Sequence, residues 1–336
     1  MTSVTSTQIQ LVRRPEGWPV ADDFRTATVQ YDAPRKGEIR VENAFLSVDP
    51  YMRGRMNDVR SYTAPYALGE TMTGGAVGRV TESDDPAFPV GAAVLHQLGW
   101  RDIAQAEASQ FRIVDELPGV PLSLRLGVLG MTGLTAYVGL TAIAGMQAGD
   151  TVFVSGAAGA VGSAAGQIAR LLGAARVIGS AGSAEKVALL TDRYGYDAAF
   201  DYHAAPVREQ LSEAAPDGIN VYFDNVGGDH LEAALDAFRD GGRAALCGAI
   251  AGYNATEKPA GPDNLANIIT RGLTLRGFTL SGYLDRAPEF NALMSGWFQE
   301  GRIAYDETLV DGIENAVDAF LSMMRGGNTG KMLVRL

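Results

Sequence analysis

The sequence is poor in the residues that form disulfides and cysteine–histidine metal centres. Its 336 residues include one cysteine and three histidines. The lone Cys247 cannot form an internal disulfide, and His96, His203 and His230 do not supply the spacing of a zinc site. We therefore expect no metal ion held by cysteine and histidine ligands.

Positive charge is also scarce. There are 28 Lys and Arg residues against 39 Asp and Glu residues, which gives a net charge of −11. This balance argues against a nucleic-acid or an anionic-membrane partner. No apolar run approaches membrane-spanning length, and residues 1–10 lack the pattern of a signal peptide. We expect a cytoplasmic protein that binds a small-molecule substrate.

What the sequence does contain is a strand, a glycine-rich turn and a helix in direct succession. Residues 151–154 are β-branched or aromatic and predict a buried strand, glycines follow at positions 156, 159 and 162, and Gly173 suits the helix end. The apolar face of the helix is predicted to carry Val161, Ala165, Ile168 and Leu172, and the outward face Ser163, Gln167 and Arg170.

This succession is typical of a dinucleotide-binding unit, in which the helix N-terminus receives a pyrophosphate. The spacing is G-x-x-G-x-x-G rather than G-x-G-x-x-G, so a tight turn in an ordinary βα unit is the alternative. The next strand, residues 175–181, ends without an acidic residue but is followed by Ser183 and Lys186. A hydroxyl and an ammonium suit a 2′-phosphate, which favours NADP(H) over NAD(H). A solvated surface lysine is the other interpretation of Lys186.

The remaining pattern predicts two kinds of architecture. Residues 6–115 contain short apolar runs broken by glycine and proline, which predicts a compact, barrel-like β domain. Residues 122–146 predict one or two helices. Strands and helices then alternate, which predicts a doubly wound α/β fold with a parallel sheet. Within it we expect helices over 207–214 and 230–239, and strands over 219–224, 243–249 and 273–278.

Several motifs in this order resemble the medium-chain dehydrogenase/reductase superfamily, in its zinc-free prostaglandin reductase and alkenal double-bond reductase branch. They span nearly the whole chain and are S-V-D-P-Y-M-R at 47–53, G-M-T-G-L-T-A-Y at 130–137, A-A-G-A-V-G at 157–162, F-D-N-V-G-G at 223–228, C-G-A-I at 247–250 with Tyr253-Asn254, and N-T-G-K at 328–331.

The resemblance implies a Rossmann domain at 122–302 and a β-rich, GroES-like catalytic domain formed by 1–121 with 303–336. It also implies a homodimer joined through the Rossmann domains near residues 273–278. The residues it implies for NADP(H) binding are Met131, Thr132, Gly159, Ala160, Val161, Gly162, Ser183, Lys186, Tyr202, Asn225, Cys247, Gly248, Ala249, Ile250, Phe278, Thr279, Leu280 and Asn328.

The resemblance further implies an enone or alkenal reductase. Asp49 and Glu70 stand where zinc-dependent relatives carry a cysteine and a histidine. The substrate carbonyl would instead be polarised by hydrogen bonds from Tyr253 and from the cofactor ribose, while hydride reaches the β-carbon of an activated alkene. Tyr51 and Tyr66 are implied as pocket residues. Protonation of the α-carbon by Tyr253 or by water both remain open.

Three other functions stay open on the sequence alone. A quinone oxidoreductase of the same superfamily would share the cofactor site. Oxidation of an allylic alcohol would transfer hydride in the opposite direction, from the substrate to NADP⁺, although no general base or zinc is evident. A non-catalytic NADPH-binding protein would keep the glycine turn and Lys186 without a reactive cleft.

Overall fold

The computed structural model describes residues 3–257 and 259–336, and the chain divides into two compact units. Met1–Gly127 and Glu307–Leu336 together form one of them, which we name the split unit. Val128–Asp306 form the other, which we name the central unit.

Short strands dominate the first part of the split unit. They are β1 (Val4–Leu11), β2 (Phe24–Tyr31), β3 (Glu38–Ser47), β4 (Ala76–Ser83), β5 (Ala93–His96), β6 (Ile103–Glu107) and β7 (Phe111–Ile113), with one short helix, α1 (Tyr51–Arg55). β1 pairs with β2, while β3 pairs with both β4 and β6, and every one of these pairings is antiparallel. Alternate residues of β3, such as Ile39 and Val41, are fully buried in a core that also contains Val80 and Phe111. The alternating pattern thus places one face of the sheet in the core.

The central unit alternates strands and helices. Its strands are β8 (Thr151–Val154), β9 (Arg176–Ala181), β10 (Ala198–Asp201), β11 (Ile219–Asp224), β12 (Phe238–Leu246) and β13 (Thr274–Gly277). Its helices are α2 (Met131–Val138), α3 (Ala160–Leu171), α4 (Ala184–Asp192), α5 (Val207–Ala214), α6 (Gly228–Ala237), α7 (Ala266–Thr270) and α8 (Ala287–Gln299). The strands form a parallel sheet in the order β10-β9-β8-β11-β12-β13. This is the doubly wound Rossmann order, and the predicted fold class is confirmed.

Aromatic side chains fill one side of the parallel sheet. The Phe153 ring of β8 stacks on Tyr222 of β11 at 5.1 Å between centroids and on Phe200 of β10 at 5.8 Å. Such ring pairs contribute about 0.5–1.5 kcal/mol beyond their buried area. The stack therefore ties three strands of the sheet together from the same face.

The predicted outward face of α3 is wrong at two positions. Ser163 and Gln167 are buried, with 7% and 6% of their surfaces exposed. The Gln167 amide donates to the Ala304 carbonyl at 2.9 Å and accepts from the Ala304 N–H at 2.7 Å. A polar side chain is stable there because it bonds a backbone segment that covers the helix. Periodicity cannot foresee that cover, because residue 304 is remote in sequence.

The predicted boundary between α6 and β12 is also wrong. The helix ends at Ala237, and Phe238 begins a strand that ends at Leu246. β11 pairs with β12 at Ile219–Phe238 and again from Val221–Arg243, and the register shifts between these two pairs. The residues of β12 between Phe238 and Arg243 therefore have no regular partners in β11. Gly242 makes room for the ring, since a Cβ there would lie 2.8 Å from the Phe238 Cγ. The strand β12 therefore begins at the buried Phe238 rather than at the predicted residue 243.

The chain ends with β14 (Glu307–Asp311), α9 (Ala316–Met324) and β15 (Lys331–Arg335). β14 runs parallel to β15, and β15 pairs antiparallel with β3, with Leu333 opposite Ser47. These pairings make the last thirty residues part of the split unit. No helix within the described residues is both long enough and apolar enough to cross a membrane.

Candidate active site

The carboxyl ends of the parallel strands collect most of the predicted site residues of the central unit. The glycine turn follows β8, Ser183 follows β9, Tyr202 follows β10, Asn225 follows β11 and Cys247 follows β12. Because all the strands are parallel, these ends share one edge of the sheet. Ligands of doubly wound proteins bind at this edge.

The glycine turn leaves a helix N-terminus open to a ligand. Gly156 has φ +59°, a conformation that other residues rarely adopt, and Gly159 is the N-cap of α3. A Cβ at Gly162 would lie 2.7 Å from the Ala157 Cα, so only glycine fits there. The first-turn N–H groups, which include those of Ala160 and Val161, have no acceptor inside the helix. The cradle fits a pyrophosphate.

Ser183 and Lys186 lie at the start of α4. Ser183 is the N-cap, and its hydroxyl accepts the Lys186 backbone N–H at 3.3 Å. Burial lowers the pKa of the Lys186 ammonium. A partly desolvated cation in the first helical turn has the chemistry that a phosphate requires.

Two residues beside Tyr202, namely Asp201 and His203, were not predicted from the sequence to belong to the site. Asp201 ends β10 in register with Ala181, so a carboxylate stands next to the tip of β9 after all. It accepts the His203 backbone N–H at 3.0 Å, and the His203 Nδ1 lies 3.1 Å from the Gly182 carbonyl oxygen. The acid is supplied by the neighbouring strand, which the spacing along one strand cannot reveal. Because Asp201 accepts the His203 N–H, one of its carboxylate oxygens faces the turn that follows β10.

The turn after β11 and the loop after β12 are hydrogen-bonded to each other. The Asp224 carbonyl accepts the N–H groups of Cys247 at 2.8 Å and Gly248 at 3.0 Å. The Ile250 N–H donates to the Asn225 carbonyl at 3.4 Å. The parallel pairing of the two strands thus continues past their ends. A short 3₁₀ turn, Ile250–Gly252, then leads into Tyr253.

The Tyr253 phenol lies over this loop. Its oxygen accepts the Ala249 backbone N–H at 3.4 Å, and this bond does not use the phenol proton. Burial raises the pKa of Tyr253, the Ala249 N–H opposes that rise, and Cys247 and Asp224 add to it. The phenol is therefore neutral at physiological pH and able to donate a hydrogen bond.

Cys247 is a protonated thiol in this setting. Burial raises its pKa to about 12, and the Asp224 carboxylate contributes to the rise. A nucleophilic cysteine needs the opposite shift. The thiol is thus a small packing group beside the site.

A buried polar cluster lies beneath the turn after β11. The Asp224 Oδ1 accepts from the Tyr222 hydroxyl at 2.7 Å and from the Ser155 hydroxyl at 3.2 Å. It also accepts the backbone N–H groups of Val226 at 2.9 Å and Gly227 at 2.8 Å. Sequence reasoning missed this cluster, because its members come from two strands some seventy residues apart. The only signal is a polar residue at the end of each strand.

The remaining cofactor candidates of the central unit lie on α2 and after β13. Thr132 is buried, and its Oγ1 has no hydrogen-bond partner among residues 3–257 and 259–336. An unpartnered buried hydroxyl fits a polar ligand group. Phe278, Thr279 and Leu280 follow β13 directly, and Thr279 exchanges a hydrogen bond of 3.2 Å with Ser281. Their positions match the sheet edge at which the other candidates lie.

In the split unit, Tyr51 and Tyr66 lie around α1. The Tyr66 hydroxyl donates to the Thr73 carbonyl at 2.8 Å, and the Arg55 guanidinium lies 4.0 Å from the centre of its ring. Burial raises the pKa of both tyrosines, so both are neutral. The Tyr51 hydroxyl lies near Gly74, since a Cβ built on that glycine would be 3.8 Å from the hydroxyl oxygen. Tyr51 is only half-buried and is the better placed of the two to meet a ligand.

Asp49 makes a buried ion pair. The Lys331 Nζ lies 3.1 Å from its Oδ1, and the Ser47 hydroxyl bonds its other oxygen. The same ammonium donates to the carbonyls of Val48 and Met332 at 2.8 and 2.9 Å. Paired and hydrogen-bonded in this way, both charges are stable away from water.

Two other positions singled out in the sequence, Glu70 and Asn328, also lie in the split unit. Glu70 is exposed, and the Asn328 side chain donates to the Gly330 carbonyl at 2.8 Å. Within the described part of the chain, no group of three or more His, Cys, Asp or Glu side chains could hold a metal ion.

Comparisons with known proteins bear on the whole chain. The family model described as the N-terminal domain of oxidoreductase matches residues 7–114, and the one described as zinc-binding dehydrogenase matches residues 160–296. The chain is 40% identical to the NADPH-dependent curcumin reductase of Escherichia coli over 331 residues, 97% of this chain and 95% of that protein. It is 41% identical to prostaglandin reductase 1 of Sus scrofa over 324 residues, 95% of each chain.

A solved structure is equally similar. The crystal structure of CurA in complex with NADPH from Vibrio vulnificus has a TM-score of 0.93 and 42% identity, covering 98% of both chains. These relatives extend over nearly the full length at well above 30% identity, so they decide the family, and they confirm the resemblance seen in the motifs. The chain belongs to the medium-chain dehydrogenase/reductase superfamily, in the zinc-free branch of the prostaglandin and alkenal reductases.

Proposed function

We propose that this protein reduces the carbon–carbon double bond of α,β-unsaturated ketones and aldehydes. The protein is an NADP-dependent oxidoreductase of its superfamily, as relatives that span the chain are. The observation that supports reduction of the double bond is the state of Tyr253. This residue is a neutral phenol at the carboxyl edge of the parallel sheet, and its bond with the Ala249 N–H does not use the phenol proton. A donor of this kind suits an oxygen on which negative charge develops.

NADPH supplies the hydride for the β-carbon when it is bound. The glycine cradle before α3 would hold its pyrophosphate, and Ser183, Lys186 and Tyr202 would hold its 2′-phosphate. Asn225 would orient the nicotinamide end from the turn after β11. We assign this binding to the central unit, and we assign the alkene pocket, with Tyr51 and Tyr66, to the split unit.

Tyr253 would then act on the substrate oxygen. Its hydroxyl donates to the carbonyl oxygen and stabilises the enolate that forms as the β-carbon receives hydride. The raised pKa keeps the proton on the phenol oxygen while the enolate forms, so the residue acts as a hydrogen-bond donor in that step. The α-carbon takes its proton afterwards, from this phenol or from water.

We also propose a homodimer joined through the central units. β13 lies at the edge of the parallel sheet and pairs only with β12 among the described strands. Next to it, Leu265, Ile269 and Leu284 expose 51%, 85% and 59% of their surfaces. An unpaired strand edge beside exposed apolar side chains is suited to pairing with a second copy.

The mechanism is tested by Tyr253→Phe. Loss of a preorganised oxyanion donor costs about 3–4 kcal/mol. The cofactor ribose would share the load, so we expect kcat on a good enone to fall about 10- to 100-fold, with little change in NADPH affinity. Tyr305→Phe is the matched control, because it makes the same change at a tyrosine that stacks on Phe298 and is not one of the candidate site residues. Its kcat should be unchanged.

Substrate panels separate this function from its alternatives. Enones, enals and quinones should be compared in both variants by NADPH consumption. The loss in Tyr253→Phe should be larger for enones and enals than for quinones, whose reduction depends less on one oxygen donor. Full activity of Tyr253→Phe on a good enone would refute the catalytic role. NADPH binding without turnover of any of these compounds would make the protein a cofactor-binding protein.

A further inference from the structure

We infer that Asp224 is a positioning residue for the reaction: its buried carboxylate fixes the turn after β11 and, through that turn, the loop that carries Tyr253. The inference rests on the proposed role of Tyr253. Asp224 exposes 2% of its surface, and burial costs a carboxylate free energy unless its oxygens are hydrogen-bonded. Its partners, however, are all donors.

The first step is the contact between the carboxylate and the turn. Oδ1 accepts the N–H groups of Val226 at 2.9 Å and Gly227 at 2.8 Å, which closes the chain back on the end of the strand. Gly227 has φ +72°, a conformation that glycine adopts freely among many others, so the backbone itself does not fix the turn. Hydrogen bonds from backbone N–H groups to a carboxylate are about twice as strong as hydrogen bonds between neutral groups. The acid therefore holds the turn in one of the conformations open to the backbone.

The second step is the support beneath the carboxylate. The Tyr222 hydroxyl donates at 2.7 Å and the Ser155 hydroxyl at 3.2 Å, and Ser155 also accepts the Asn225 N–H at 3.0 Å. The Tyr222 ring is itself fixed, because it stacks on Phe153. The carboxylate is thus anchored to the strands β8 and β11 and has little freedom to follow a moving turn.

The third step runs from the turn to the tyrosine. The carbonyls of Asn225 and Val226 accept the N–H groups of Ile250 at 3.4 Å and Ala251 at 3.1 Å. The Tyr253 N–H then donates to the Ile250 carbonyl at 3.2 Å. Each residue between the carboxylate and the phenol is therefore held by the one before it. A shift of the turn would be passed to the Tyr253 hydroxyl.

A displaced donor has a direct kinetic consequence. Catalytic groups lose much of their effect when they move by about 1 Å. Asp224→Asn keeps the size and one acceptor oxygen but removes the charge and adds two N–H donors to a site that already contains donors. We expect kcat on an enone to fall about tenfold. The dissociation constant of NADPH should change less than threefold, because its phosphates are assigned to the N-termini of α3 and α4 and not to the turn after β11.

A double-mutant cycle with Tyr253→Phe tests the connection. If Asp224 acts through the phenol, adding Asp224→Asn to Tyr253→Phe should lower kcat by less than twofold. A further tenfold loss in that background would show that the two residues act independently and would overturn the inference alone. Full activity of the single Tyr253→Phe variant would overturn the proposed function as well, so the two failures are distinguishable.

Tyr222→Phe provides a second variant if Asp224→Asn does not fold. It keeps the stacked ring and removes one donor from the carboxylate, so kcat should fall about two- to fivefold, and again not when Tyr253 is already Phe. A melting temperature should be measured for each variant. A lower Tm with unchanged kcat per folded molecule would mean that the cluster serves stability only, which would also overturn the inference.

Discussion

The choice between NADPH and NADH is the most direct quantitative test of the site. Lys186 lies in the first turn of α4, three residues after the N-cap Ser183, at the tip of β9. Burial already lowers the pKa of its ammonium, so the cation has given up part of its hydration before a ligand arrives. A 2′-phosphate would bind this ammonium through a charged hydrogen bond. NADH has no such group, and its binding should not depend on this residue.

The size of the effect follows from the kind of bond that would be lost. A hydrogen bond to a charged group contributes about 1.5–3 kcal/mol. At about 1.4 kcal/mol per factor of ten, Lys186→Ala should raise the dissociation constant of NADPH about 10- to 150-fold. The side chain is half-buried, so part of any loss could come from its apolar stem. Lys186→Met keeps most of the stem and should show nearly the same loss.

The measurement is a fluorescence titration of each variant with NADPH and with NADH at two salt concentrations. The NADPH preference should shrink in both Lys186 variants, and the salt dependence of NADPH binding should weaken with it. Lys36→Ala is the control, because it removes an exposed cation from the split unit. Equal losses for NADPH and NADH would show that Lys186 does not contact the 2′-phosphate and would refute the reasoning.

Two further predictions concern assembly and acid stability. Ile269→Arg places a charge on the most exposed apolar residue beside β13, so light scattering should move from twice the 35.5 kDa chain mass to the chain mass; a wild-type protein of one chain mass would remove the dimer. Burial lowers the pKa of His96 to about 3, and the Arg101 charge adds to the drop, while the neutral ring bonds Asn43 and the Leu98 N–H. Its contribution to stability is therefore full above pH about 6.5 and is lost as the pH falls toward 3, by about 1.4 kcal/mol per pH unit. In urea unfolding between pH 6 and 5, His96→Gln should show a slope smaller by about one proton, and equal slopes would contradict this.

Much of the central unit could be predicted because its signals are local. α5 and β11 begin and end at the predicted residues, 207–214 and 219–224. The strand, the glycine turn and the helix over 151–173 also form as predicted, with Gly173 at φ +95° after the helix. Buried parallel strands are continuous apolar runs, and glycine marks the turns that no other residue can make. Such features need no knowledge of the rest of the chain.

What could not be predicted depends on residues that meet from far apart. The ion pair of Asp49 with Lys331 joins positions near the two ends of the chain. Gln167 becomes buried because residue 304 covers it, and Asp201 reaches the tip of β9 because a neighbouring strand carries it there. The Asp224 cluster needs both β8 and β11. In each case the side chain is polar and its partner is set by topology, so the pattern along the sequence suggests a surface residue.

The direction of the chemistry follows from the state of Tyr253. Oxidation of an alcohol requires a group that accepts a proton, and a phenol does so only after it has lost its own. Burial, Cys247 and Asp224 together raise the pKa of this phenol, against the single opposing Ala249 N–H. The same Asp224 that we infer to hold the loop thus also disfavours a tyrosinate. A group kept protonated suits the opposite task, which is to donate to an oxygen that gains negative charge. The electrostatics of the loop therefore support the proposed reduction of an activated alkene rather than oxidation of an allylic alcohol.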